Sequence, residues 1–141
     1  MRRTILWLLV GAIVLDLVYW TLWFTNRDVI ASAHTQAYYD FENAFPLADL
    51  WLGLACLLGL VSLIKNLPSA LFWLLASGSA GLYLGCMDLL YDLEHGIFTT
   101  GGGGLFELFI VAVTWVFSIT ILTWSWRHRG ELLGGGGSSA S

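Results

Sequence analysis

Four apolar stretches, residues 4–24, 47–64, 70–93 and 105–126, occupy most of this chain of 141 residues. Crossing the roughly 30 Å hydrocarbon core of a bilayer takes about 20 apolar residues in helical form, because in lipid each backbone N–H and C=O must be bonded within its own segment. Each stretch is close to that length, and the connections between them are too short to hold a soluble domain. The sequence therefore predicts one domain over residues 1–130, an all-α integral membrane protein built as an antiparallel bundle of four transmembrane helices. Composition agrees, with 57% hydrophobic residues, 11% charged residues and eight Trp. The first stretch is too long for a signal-peptide core and lacks a small-residue cleavage site, so it is expected to stay in the chain.

Local chemistry sets the boundaries. Pro46 suits the first turn of the second helix. Lys65, Asn66, Leu67, Pro68 and Ser69 form a turn of minimal length, which makes the second and third helices antiparallel neighbours. Residues 101–104 are four consecutive glycines with no accompanying lysine or strand, so they read as a turn and not as a phosphate loop. Residues 131–141, ending in a Gly- and Ser-rich run, read as a flexible tail or an added linker outside the functional domain. Cys56 and Cys86 lie in apolar runs at different depths and are not expected to pair.

Orientation follows from charge. Arg2, Arg3, Lys65, Arg127 and Arg129 all flank one side of the four spans, which by the positive-inside rule puts both termini and the Lys65 turn in the cytoplasm; Arg27 alone falls on the other side. The acidic loops are then non-cytoplasmic, and Trp20 and Trp23 at one end, Trp124 and Trp126 at the other, fit interfacial belts.

Five carboxylates lie inside or at the ends of the spans: Asp16, Asp49, Asp88, Asp92 and Glu107. Each costs roughly 2.5–3.5 kcal/mol in hydrocarbon on insertion scales, so together they point to a buried binding site. Helical spacing shows how they face. Ser77, Gly81 and Gly85 form a small-residue stripe of the kind that admits a close helix neighbour, either within the chain or in a homo-oligomer, and the stripe continues into Asp88, Asp92 and His95. Glu107 begins a second stripe with Thr114, Ser118 and Ser125, and Asp49 aligns with Gly53 and Cys56. Asp49 and Glu107 sit in first turns, where the helix dipole favours an acid in any case. Asp16 is too deep to reach water, and at Asp88 the dipole is opposed.

Asp88, Asp92 and His95 are also spaced to offer three ligands to a divalent metal ion on one helical face. In the loop before the second span, His34, Asp40, Glu42 and Asn43 add donors, and Tyr38, Tyr39, Phe41 and Phe45 suggest an amphipathic segment against the mouth of the bundle. No basic groove exists for nucleic acid and no Cys-x-x-Cys for thiol exchange.

Three function classes follow. The first is an outward-facing acidic cavity that binds a cation, either a metal ion or an organic amine, with proton-coupled transport as an extension. Like charges crowded at low dielectric cannot all ionise unless a cation joins them. The second is a membrane enzyme acting on a lipid-soluble substrate with Asp16 and Asp88 as an acid/base pair. This layout of four spans burying acids resembles the sterol-isomerase and sigma-2-receptor group, and the resemblance carries no site residues across. The third is a structural or accessory subunit. An aromatic, largely apolar chamber around Asp16 and Asp88, open sideways to lipid, favours the enzyme; a polar funnel open to the outer water favours cation binding.

Overall fold

Helix ends in this chain are set by proline, glycine and one hydroxyl cap. A computed structural model describes residues 1–134. In chain order it contains α1 (Arg2–Thr25), a 3₁₀ turn (Arg27–Val29), α2 (Gln36–Glu42), α3 (Pro46–Ile64), α4 (Ser69–His95), a second 3₁₀ turn (Ile97–Thr99), α5 (Gly102–Arg127) and α6 (Arg129–Gly134). Thr35 caps α2, its Oγ1 accepting from Tyr38 N at 3.3 Å. Pro46 occupies the first position of α3. Gly96 closes α4 in the left-handed region at φ 64, where glycine pays no Cβ penalty. Four helices, α1, α3 (with α2 leading into it), α4 and α5, are long and apolar enough to cross a membrane, and the described residues contain no strand.

The long helices pack in series: α1 on α3, α3 on α4, α4 on α5, with only slight contact between α1 and α5. Ile5, Leu9, Cys56, Leu63, Ala70, Leu74, Phe117, Ile121 and Trp124 form the larger core cluster. Arg2 reaches from the start of α1 to the Leu63 carbonyl and the Asn66 side chain, tying the first helix to the α3–α4 turn. A second cluster of Trp23, Ile30, Tyr38 and Ile97 gathers the loop and α2 over the opposite end.

The α4–α5 contact is the tightest. Ser77, Gly78, Gly81 and Gly85 are all buried. A Cβ on Gly81 would stand 2.5 Å from Ser118 Oγ, and one on Gly85 would stand 2.7 Å from Trp115 Cδ1. Gly81 and Gly85 of the Ser77/Gly81/Gly85 stripe thus meet α5 of their own chain.

Two further expectations are revised. The tetraglycine is not simply a turn: Gly102, Gly103 and Gly104 form the first turn of α5, where a Cβ on Gly104 would collide with the Ile97 carbonyl and one on Gly103 would come to 3.0 Å from Ser32 Cα. These glycines let two loops close on the helix start. Residues 131–134, expected as the beginning of the tail, belong to α6, and Leu132 packs against the larger core. The rest of that tail, 135–141, lies outside the described residues. Cys56 is buried and Cys86 exposed, both free.

This packing makes a contrast testable. Gly85→Ala must push Trp115 aside and is expected to destabilise by about 1–3 kcal/mol, the usual cost of overpacking. Gly11→Ala, where an added Cβ meets nothing within 4 Å, is expected to be neutral or to stabilise by up to about 1 kcal/mol through helix propensity. Unfolding midpoints in mixed micelles check both.

Candidate functional site

Since α4 holds α5 and α3 holds α1, the first and last long helices stand apart and enclose a cavity of about 630 Å³. Its walls are apolar along most of their length, from Trp7, Gly11 and Leu15 on α1 to Val113, Val116 and Phe117 on α5. One end is acidic. Asp16, Asp49, Asp88 and Glu107 line it, joined by Glu42. No Lys, Arg or His lines the cavity among the described residues.

Each carboxylate is placed by a different device. Asp16 lies half-buried on α1, and its Oδ2 would be 2.8 Å from a Cβ on Gly53, so the missing side chain there lets the acid rest against α3. Asp49, in the first turn of α3, accepts from Trp20 Nε1 at 3.0 Å and feels the charge of Asp16. Glu42, 5% exposed at the end of α2, accepts from Tyr19 Oη at 2.8 Å. Glu107, 3% exposed, accepts from Ser32 Oγ at 2.7 Å and from Tyr38 Oη at 3.4 Å. Asp88 has no hydrogen-bond partner among the described residues and lies in the field of Glu42, Glu107, Asp92 and Asp49.

Asp92 and His95 take other places. Asp92 is 2% exposed and does not line the cavity, and its Oδ2 has no partner among the described residues. His95 is exposed, with its ring stacked on Tyr91 at 4.0 Å and its Nδ1 against the Tyr91 carbonyl. Among the described residues no three His, Cys, Asp or Glu gather as a metal-holding group, so the Asp88, Asp92 and His95 set expected from spacing is not assembled. The His95 ring is instead engaged by Tyr91, through the stacking and the carbonyl contact. Of the five acids expected to bind ligand, four line the cavity and Asp92 does not.

The loop supplies what spacing along the spans could not. Tyr38 and Phe45 are buried, and Phe41 stacks on Tyr91 at 3.7 Å, so α2 lies across the acidic end as an amphipathic segment. Glu42 had a signal. Tyr38, Glu42, Phe45 and Asp49 recur at steps of four, three and four, one helical face running from α2 into α3. Ser32 had none, since it lies in irregular chain and meets Glu107 across 75 positions.

Chemically, the acidic end offers acceptors and negative charge with Tyr and Trp donors holding them in position. It suits a cationic or hydrogen-bond-donating group and repels an anion. No protein family, curated protein or solved structure matches this chain, so the functional reading rests on its own residues.

Ser32→Ala removes the shortest bond to Glu107 and leaves that buried carboxyl with Tyr38 alone. The expected loss is about 1–3 kcal/mol of stability, read by thermal unfolding, and Tyr38→Phe in addition should cost more than either change alone.

Proposed function

We propose that this chain is a multi-pass membrane protein whose four long helices run antiparallel, with both termini cytoplasmic, and that its acid-ended chamber binds an organic amine. The helix order is supported by two ties: Arg2 at the start of α1 reaches the end of α3, while Trp20 near the end of α1 bonds Asp49 at the start of α3. Sidedness is supported by the basic residues gathered at the Arg2 and Lys65 end. Cysteines introduced at Lys65 and Thr100, in a background without Cys56 and Cys86, should label from opposite faces of sealed vesicles. Labelling from the same face would overturn the topology.

The observation that carries the amine reading is a cavity whose polar end contains carboxylates and no basic side chain. An ammonium group carries positive charge and only hydrogen-bond donors, which matches a cavity end lined by carboxylates from several helices. A divalent metal is the less favoured form of the cation reading, because no three ligating side chains gather among the described residues. Binding is the core of the proposal, and proton-coupled transport would follow if the carboxylates exchange a proton for the amine.

Asp88→Asn keeps the shape of the side chain and removes its charge. It is expected to leave the bundle folded, with an unchanged or higher melting temperature, and to weaken amine-induced stabilisation by tenfold or more in ligand concentration. Unchanged amine stabilisation in the variant would remove Asp88 from the site. A second reading, a carboxylate acid/base pair acting on a lipid-soluble substrate, is favoured by the apolar walls. It predicts turnover of a neutral lipid that Asp88→Asn abolishes while binding persists.

A further inference from the structure

We infer that the amine bound here is lipophilic, carrying behind its cationic group an apolar body about 14 Å long that enters sideways from the bilayer past Gly11. The inference rests on the amine reading above and names the class of molecule that fits it. On α1 the wall residues Trp7, Gly11 and Leu15 follow one another at four-residue steps and lead to Asp16. From Trp7 to Asp16 is nine residues, or about 14 Å of helix at 1.5 Å each. A small hydrophilic amine would occupy only the carboxylate end. The remaining length, walled by Val113, Val116 and Phe117 on the opposite side, matches an apolar chain in shape and polarity.

Gly11 is the opening in that wall. It is exposed, and an added Cβ there would meet nothing within 4 Å, so the middle of the slot lacks the side chain that its neighbours provide. Trp7 at 73% and Val116 at 65% exposure stand at the rim on α1 and α5, facing the surroundings of the bundle. A molecule dissolved in the bilayer therefore has a lateral route into the slot. Charge decides which lipophile it is. The inner end holds Asp16, Asp49, Asp88, Glu42 and Glu107 without a basic residue, which complements an alkylammonium and opposes a fatty acid or a phosphate-bearing lipid.

The test compares wild type, Gly11→Trp, Gly11→Leu and Val14→Trp in nanodiscs, counting bound radiolabelled dodecylammonium and propylammonium against empty discs. Val14 lies outside the cavity lining and is 53% exposed, so its variant controls for an added indole on the outside of α1. Wild type and Val14→Trp should hold dodecylammonium at least tenfold more tightly than propylammonium. Both Gly11 variants should lose that advantage and keep propylammonium binding, which also shows that they are folded. Equal dodecylammonium affinity in wild type and Gly11→Trp would overturn the inference, as would the loss of both amines in both Gly11 variants with unchanged thermal unfolding. Displacement by dodecanoate as effective as by the amine would also overturn it, since the slot would then hold any lipid chain. If propylammonium binds wild type without a chain-length advantage, only the lipophilic inference falls. If neither amine binds wild type, the amine reading falls with it.

Discussion

The close approach of α4 to α5 is the contact on which the rest of the architecture depends. In a membrane, helices gain little from hiding apolar surface, so van der Waals packing between small residues carries much of their association. Gly81 and Gly85 bring α5 against α4 so tightly that Ser118 and Trp115 fill the space a Cβ would take. With α5 committed to α4 and α1 committed to α3, no helix remains to seal the gap between first and last. The chamber is a by-product of where the small residues lie.

That geometry also explains how a bundle tolerates so many acids. Among the described residues none is paired with Lys or Arg; their partners are indole, phenol and serine donors: Trp20 for Asp49, Tyr19 for Glu42, Ser32 and Tyr38 for Glu107. Neutral donors hold a carboxyl in place without cancelling its charge. Positioning and charge are thus separated, which is what a site for a cationic ligand requires and what a structural ion pair would forfeit. Asp88, without a donor, and Asp92, with an unpartnered buried oxygen, carry the residual cost.

Much of this was legible in the order of residues, and the remainder was not for identifiable reasons. Length and hydrophobicity located the four spans to within a few residues, because the bilayer imposes one dominant constraint. Period-four stripes placed Asp88 and Glu107 inward, and depth singled out Asp16. The failures came where particular side-chain contacts, and not helical period, decide the outcome. His95 sits on the same face as Asp88 and Asp92 by spacing, yet its ring is stacked on Tyr91 and no metal-holding group forms among the described residues. Three of the four loop glycines belong to a helix, and two of them, Gly103 and Gly104, accommodate Ser32 and Ile97. The width between α1 and α5 depends on helices that are not neighbours in sequence, and no local pattern encodes it.

The arrangement of donors also bears on how the chain is made. Asp16 is synthesised first, when no other span exists to shield it, and the indole of Trp20 stands one helical turn away on the same segment. Glu107 comes last among the cavity acids, and its partners Ser32 and Tyr38 precede it by 75 and 69 positions. The early acid thus has a donor on its own helix, while the late one takes its donors from chain made before it. Made in chain order, neither of these two carboxyls depends on a donor from a later helix.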